Sequence, residues 1–418
     1  MTTAGADQAA KNKQVVADTA DVEATHPRSR HLMLYVHVPF CPSKCHFCSW
    51  VQGIPKSELL LRPQDTVRRD YIDAVCYEIR ERAKEINHLG YQPNIVYWGG
   101  GTASSLEIDE IEKIHTALQE SFDLSSVNEA TIEGSPDSVT PEKLRFIRGL
   151  GYKRFSYGVQ SFNDERLRRI GRVHRSEQSR EAVKWTVDAG FEDINIDIMC
   201  GFPNEALDEV ENTMKEAVKL PVTHVSYYPY RPIEGTVMRK QIAQHSLGTI
   251  DVNEQKAAYA LGRNILEEAG FHEYAMSYFG HPSLNDLAIF RLKQEWLGFG
   301  AGAHSLFNGT WHTHDRGNIA AYIKAPLKWD TSIPPYSEQV VLMLLHQGLS
   351  TFNGIERDDW YQQTGKSLDE TLQQPGVKWY VNFLRSKIGI IEDEVGIRVP
   401  RERTDAFIDI LYAMTAVK

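Results

Sequence analysis

Long apolar runs are missing from this chain. No stretch of its 418 residues approaches the roughly 18 consecutive apolar positions that a membrane-spanning helix needs. The opening "MTTAGADQAAKNKQVVADTADVEATHPRSR" also lacks the apolar core of a secretory signal. A cytoplasmic protein is the expectation. Blocks of one charge are missing too: the net charge is −10, with acidic and basic residues interspersed. No basic stripe is left for nucleic acid or an anionic membrane surface, which points to a small molecule or a protein as partner. Cysteine is scarce, with 5 in the whole chain, and that does not make a secreted disulfide framework. No internal repeat is present, and no low-complexity run beyond the polar start.

The few cysteines are not scattered. "FCPSKCHFCSW" places Cys41, Cys45 and Cys48 within eight positions, with spacing C-x3-C-x2-C, just after the first predicted strand. A structural zinc site wants four ligands, usually as two separated pairs; His46 is available as a fourth but is pinned between two of the cysteines. Unrelated buried thiols are the plain alternative. An iron–sulfur cluster answers the pattern better, because cysteine thiolates hold such clusters and three of them leave one iron of a cubane open to a substrate or cofactor.

Around this loop, short apolar runs alternate with amphipathic stretches. "LMLYVHV", "PNIVYWGG", "EATIEGS", "RFSYGVQS", "DINIDIM" and "THVSYYPY" read as strands, separated by segments with helical periodicity. Helices between strands imply a parallel sheet, and six such units over about 200 residues suit a partial (β/α)6 barrel of the TIM type better than an eight-unit one. The chemistry of such folds sits at the carboxyl ends of the strands. The expected organisation is a flexible extension over 1–30, the barrel over 31–235, linking and substrate-side elements over 236–333, and an α/β accessory domain over 334–418. At the end of the second predicted strand "YWGGGTAS" supplies Gly99, Gly100, Gly101 and Thr102, where the backbone can approach a ligand closely, although a plain turn reads the same way.

Together the cysteine loop, with Phe47 in "CHFC", and the glycine stretch resemble the radical S-adenosylmethionine (SAM) superfamily. The resemblance narrows over residues 31–418: "LYVHVPFC", "GGGT", "EGSPDSVT", "RFSYGVQSF", "RLRRIGRVH", "INIDIMCGFP" and "LGFGAGAHS" are similar to the oxygen-independent coproporphyrinogen III oxidase (HemN-like) family. It implies a radical SAM barrel, a 4Fe-4S cluster on Cys41, Cys45 and Cys48, and a reductively cleaved SAM, with a second SAM beside it in one subgroup. By the same resemblance Tyr35 lies near the sulfonium and cluster, Phe47 and Gly99 to Thr102 border SAM, and Glu133, Gln160, Arg172 and Asp197 contact SAM molecules. A carboxylate suits an ammonium or ribose hydroxyls and an arginine fork suits a carboxylate.

The porphyrinogen oxidase itself carries a further cysteine soon after the last cluster ligand, where this chain has Ser49 and Trp50; the haem chaperone branch commonly has Asp-Phe there. With only the three cluster cysteines and a barrel-end linker like "SYYPYRPIEGTVM", the chain resembles the class C radical SAM methyltransferases and cyclopropanases. The function expected on that ground is transfer of a SAM-derived methylene radical to an sp2 carbon of a small-molecule or peptide-borne heteroaromatic or unsaturated natural-product precursor, in a monomer fed by a flavodoxin or ferredoxin. A haem chaperone and a coproporphyrinogen oxidase are the alternatives. Tyr228, Tyr230 and Arg231, with Tyr227 beside them, offer aromatic faces and one cation for a flat acidic substrate, or simply pack. His304 is a proton-transfer residue or a structural one. Cys76 belongs to a core helix, Cys200 stands near the site, and "WHTH" at 311–314 lacks the partner cluster of a second metal site.

Overall fold

The computed structural model describes residues 30–48, 60–290, 294–315 and 318–403, with Ala406 and Ile410. The polar amino-terminal stretch, Ser49 and Trp50 lie outside the described residues.

Six strand–helix alternations follow one another: β1 (His31–Val38), α1 (Thr66–His88), β2 (Gln92–Gly100), α2 (Ile108–Ser121), β3 (Glu129–Gly134), α3 (Pro141–Gly149), β4 (Arg154–Gln160), α4 (Asp164–Arg169), α5 (Ser176–Asp188), β5 (Asp193–Cys200), α6 (Leu207–Ala217) and β6 (His224–Pro229). Local chemistry starts the helices where they start. Glu107 and Glu110 form a reciprocal capping box at α2, and the Thr140 hydroxyl accepts from the Lys143 N–H with Pro141 in the first turn of α3. The strands pair in parallel from β1 to β6. Their outer face is apolar: Leu34, Val36, Trp98, Ile132, Phe155, Ile194, Ile196 and Val225 share one buried core with Val75 and Ile79 of α1, Ile114 of α2 and Met214 of α6.

The inner face is different. His37 is level with Gly99, Glu133 with Ser156, Ser156 with Asn195, and Asn195 with His224. Eight-stranded barrels usually fill that space with layers of branched apolar side chains; here Glu133, Ser156, Asn195 and His224 make it polar.

After α7 (Val237–Ala243) and α8 (Val252–Glu268), the chain adds strands to both edges of the same sheet. β7 (Glu273–Ala275) and β8 (Tyr278–Gly280) extend the β6 edge antiparallel. α9 (Leu284–Phe290) then leads to β9 (Glu295–Phe299), which pairs parallel to β1. β10 (His304–Phe307), β11 (Thr310–Thr313) and β12 (Thr331–Ile333) continue outward, with α10 (Ile319–Lys324) between the last two, giving a 12-stranded sheet. Read from sequence, "EWLGF" belonged to a glycine-dense linker. In the structure it is a parallel strand buried along its whole length, and five residues buried on both faces show no alternation to read.

The rest of the chain packs as α11 (Glu338–Gly348), β13 (Ile355–Glu356), α12 (Arg357–Thr364), α13 (Leu368–Leu372), α14 (Pro375–Ile388), β14 (Ile391–Glu392) and β15 (Gly396–Arg398). Its core, including Leu344, Trp360 and Leu384, is continuous with Met33, Ile95, Trp296 and Leu306 of the large sheet.

One helix–sheet contact depends on a missing side chain. A Cβ at Gly262 of α8 would lie 2.3 Å from the Tyr227 ring. That ring cannot retreat: its hydroxyl donates to the Ala258 carbonyl at 2.7 Å, and it stacks on Tyr259 with 5.3 Å between centroids. Alanine favours a helix by about 1 kcal/mol over glycine, whereas overpacking costs about 1–3 kcal/mol. Gly262→Ala is therefore expected to lower the urea midpoint despite the better helix former, and a raised midpoint would contradict the packing.

Candidate functional site

The cysteine loop leaves the carboxyl end of β1 and is held from the far side of the barrel. The His46 N–H donates to the Ile170 carbonyl at 2.9 Å, His46 Nδ1 lies 3.0 Å from the Arg169 carbonyl, and the His46 carbonyl accepts from the Met238 N–H at 3.0 Å. His46 thus anchors the loop to the end of α4 and the start of α7. Phe47 packs into an apolar cluster with Leu167, Ile170, Met199, Tyr228 and Tyr230.

The thiols have hydrogen-bond donors aimed at them. The Thr102 hydroxyl donates to Cys41 Sγ at 3.5 Å, and Arg172 Nη1 donates to Cys45 Sγ at 3.3 Å. Burial pushes the Cys41 thiol up to about 12, with the neighbouring Cys48 and Cys45 adding to the rise. A bound metal's positive charge reverses that preference and makes such a thiol a thiolate. Among the described residues no three His, Cys, Asp or Glu side chains converge on a single ion; a cubane does not ask for this, since each thiolate takes its own iron. Three neighbouring thiols with an arginine and a threonine directed at their sulfurs fit an iron–sulfur cluster and its outer shell.

The glycine stretch lies against this loop. The Gly101 N–H donates to the Val38 carbonyl at 2.7 Å and the Thr102 N–H to the Phe40 carbonyl at 2.8 Å. A Cβ at Gly101 would come within 2.5 Å of the Phe40 carbonyl oxygen and 2.9 Å of Cys41 Sγ, so no larger residue fits there without moving the cluster loop. Gly100, at φ +111, turns the chain away beside the His37 ring.

Inside the barrel mouth, the Tyr35 hydroxyl is 3.0 Å from His37 Nδ1 and the Tyr35 ring stacks on Tyr97. The Tyr97 hydroxyl donates to Glu133 Oε1 at 2.5 Å. Burial pushes the Glu133 carboxyl up to about 7, the Tyr97 hydrogen bond opposes the rise, and the Asp197 charge adds to it. Asp197 is raised as well, by burial first. Arg172 Nη2 donates to the Ser135 hydroxyl at 2.9 Å and to the Gly158 carbonyl. Gln160 ends β4 at φ +73, a region a non-glycine residue occupies at a cost and typically where function over-determines the backbone. Gln160 Oε1 and Arg172 Nε are buried with no hydrogen-bond partner among the described residues. Such atoms cost about 1–3 kcal/mol each, and a polar ligand in the mouth would satisfy them.

Of the residues singled out by sequence, Tyr35, Gly99, Gly100, Gly101, Thr102, Glu133, Gln160, Arg172 and Asp197 line one mouth with the three cysteines. The aromatic platform divides. Tyr228 faces inward within electrostatic reach of Asp197 and Cys48, Tyr230 stacks on Phe202 at 5.1 Å, and Tyr227 turns outward to α8. Arg231 stands within reach of His346 on α11. Cys200 is buried on the outward face beside Tyr227, and Cys76 is buried in α1. His304 sits on the antiparallel edge with its ring 5.7 Å from Trp311. Sequence reading missed Tyr97, Ser135, Ser156, Asn195 and His224; the inward alternation in "INID" and "THVS" was the available signal.

The radical SAM superfamily model matches residues 35–217. The heme chaperone HemW of Bacillus subtilis is 29% identical over 348 residues, covering 80% of this chain and 87% of that protein. HemW of Lactococcus lactis is 28% identical, covering 70% and 73%. A mitochondrial radical S-adenosyl methionine domain-containing protein 1 of Bos taurus is 26% identical, covering 84% and 80%. Among solved structures, the coproporphyrinogen III oxidase HemN of Escherichia coli superposes with a TM-score of 0.74 at 21% identity, covering 93% of this chain and 91% of that one, a likeness of fold.

These relatives correct the expectation of methylene transfer, whether as C-methylation or cyclopropanation: the bacterial relatives named above are heme chaperones, and neither they nor the Bos taurus protein is named a methyltransferase. The physical reason is that a missing fourth thiol removes an option without supplying another. Three cysteines on one loop account for a cluster and carry no information about the substrate.

Proposed function

We propose, for a chain whose residues 35–217 are a radical SAM domain of the HemN-like kind, that it binds haem and carries it as a haem chaperone, with a 4Fe-4S cluster and SAM at the barrel mouth. The observation that carries this reading is the similarity to heme chaperone HemW over 80% of the chain and 87% of the relative. Cys41, Cys45 and Cys48 would hold the cluster, and Thr102 and Arg172 would donate to its sulfurs. Glu133 would take a cationic group of SAM, which favours the ionised carboxylate over the protonated one that burial favours. Gln160 and Asp197 would offer the remaining polar contacts. When bound, the cluster supplies the electron for reductive cleavage of SAM. Phe47, Met199, Tyr228 and Tyr230 give the mouth an apolar wall beside this polar floor, and flat apolar ligands favour such a wall.

Titrating the purified protein with haemin, with and without the reconstituted cluster, tests the reading. A saturable Soret band is the expected result. Its absence, together with release of carbon dioxide from coproporphyrinogen by the reduced protein loaded with SAM, would put a porphyrinogen oxidase in its place.

A further inference from the structure

The polar inner face continues below the residues that line the mouth. Asn195 stands two residues before Asp197 on the same face of β5, and its Nδ2 donates to Asp197 Oδ1 and to the Ser156 hydroxyl, each at 2.8 Å. Its Oδ1 accepts from the Ser226 backbone N–H at 3.2 Å. A backbone N–H only donates, so this contact fixes which end of the amide is oxygen. His224 Nδ1 lies 2.6 Å from that oxygen and must therefore carry a hydrogen. His224 Nε2 is 2.8 Å from the Tyr274 hydroxyl, which is 2.9 Å from Asp286 Oδ2. A phenol has one hydrogen. With a neutral His224 and an ionised Asp286 it would face two acceptors, and one of these short, partly buried contacts would have no hydrogen in it.

We propose that His224, Tyr274 and Asp286 hold one shared proton and, through Asn195, fix the orientation of Asp197 at the barrel mouth. The linkage to the mouth rests on the reading that Asp197 contacts SAM; the shared proton does not. Two arrangements balance. In one, protonated Asp286 donates to the Tyr274 oxygen and the Tyr274 hydroxyl donates to neutral His224 Nε2. In the other, the Asp286 proton has passed to Tyr274 and the Tyr274 proton to Nε2, leaving an imidazolium and a carboxylate. Passing from one arrangement to the other moves no proton into or out of the group; the shared proton is lost only as pH rises through the Asp286 value.

Charged and titratable neighbours come from every side: Tyr97 on β2, Glu129 on β3, Arg154 on β4, Asp193 and Asp197 on β5, Tyr278 on β8, and His281. Burial, then Arg154 and His281, hold His224 well below the usual imidazole value, while burial carries Asp286 up to about 6. Both directions favour the first arrangement. These are positioning residues, acting on the mouth through Asn195.

The test is nitrogen NMR of the full chain labelled at histidine, with His224 assigned by its loss in His224→Gln. We expect Nδ1 to stay protonated at every pH and Nε2 to shift with a midpoint near the Asp286 value of about 6. Asp286→Asn supplies an amide that donates to Tyr274 but does not titrate, so the midpoint should vanish while the Nδ1 hydrogen remains. A bare Nδ1 in the wild-type chain overturns the proposal without any variant, and so does a midpoint unchanged in Asp286→Asn.

The linkage to the mouth is read by equilibrium dialysis of SAM against the cluster-loaded protein. Asp197→Asn and Asn195→Ala should both weaken retention. If Asp197→Asn has no effect, Asp197 is not a SAM contact and that reading falls. If Asp197→Asn weakens retention and Asn195→Ala does not, the positioning role falls.

Discussion

Cys45→Ala is expected to strip the protein of its cluster. Two thiolates remain in the loop, and a cubane held at two irons exposes the other two to solvent and exchange. After anaerobic reconstitution the variant should be colourless, with iron near background and no SAM cleavage. A second loss accompanies the first: Arg172 Nη1 donates to Cys45 Sγ, and Arg172 Nε already has no partner among the described residues. Removing the sulfur leaves a buried guanidinium further under-satisfied, which costs about 1–3 kcal/mol even before any iron is added. Cys200→Ala is the control, because that thiol is buried on the outward face beside Tyr227 and holds nothing in the mouth. It should keep its iron. Normal iron content in Cys45→Ala would sink the cluster assignment; equal iron loss in both variants would point to misfolding, which a far-ultraviolet spectrum separates.

Glu78→Ala is expected to be the most destabilising single change outside the site. Its carboxylate, fully buried on α1, accepts from Arg82 Nε at 2.7 Å, the Tyr322 hydroxyl at 2.7 Å and the Gly300 N–H at 3.0 Å, and pairs with His314 Nε2 at 2.8 Å. These partners come from the barrel's first helix, the turn after β9, the end of β11 and α10, so one side chain ties the returning edge of the sheet to α1. Truncation strands Arg82 against Trp329 and leaves the other partners buried without an acceptor. Breaking a buried pair in this way costs about 3–5 kcal/mol, a large share of the roughly 5–15 kcal/mol that holds a domain folded.

Burial by itself would raise the Glu78 carboxyl, but His314 and Arg82 outweigh it and hold it below the ordinary value of 4.5. A depressed folded value means the contribution is complete above the ordinary carboxylate range and lost as pH falls through the folded value. Urea unfolding should therefore show the full gap between wild type and variant at neutral pH, narrowing in acid. Glu120→Ala, which breaks the exposed Arg80–Glu120 pair, should change stability by about 0–1 kcal/mol. A gap for Glu78→Ala no larger than that would refute the knot.

The knot also accounts for "WHTH", which sequence reading set apart as too isolated for a metal site. His314 is spent on Glu78, and His312 stacks on Trp329 at 4.9 Å. Nothing local in the chain announces this, since Glu78 and His314 are 236 positions apart.

What the sequence by itself determined is what depends on neighbours along the chain. The C-x3-C-x2-C spacing delivers three thiols from one loop whatever surrounds it. Helices start where Glu107, Thr140 and Pro141 satisfy or dispense with free N–H groups, and the six barrel strands show as short apolar runs set between helical stretches. Tertiary structure decided everything that joins distant segments: Arg172 against a cysteine 127 positions earlier, His224 beneath Asn195, β9 alongside β1, and Tyr227 and Tyr228 sent to opposite faces of one strand. Spacing fixes which side chains can share a loop or a face, but which face turns inward is set only when the whole sheet closes and buries its apolar side against the helices.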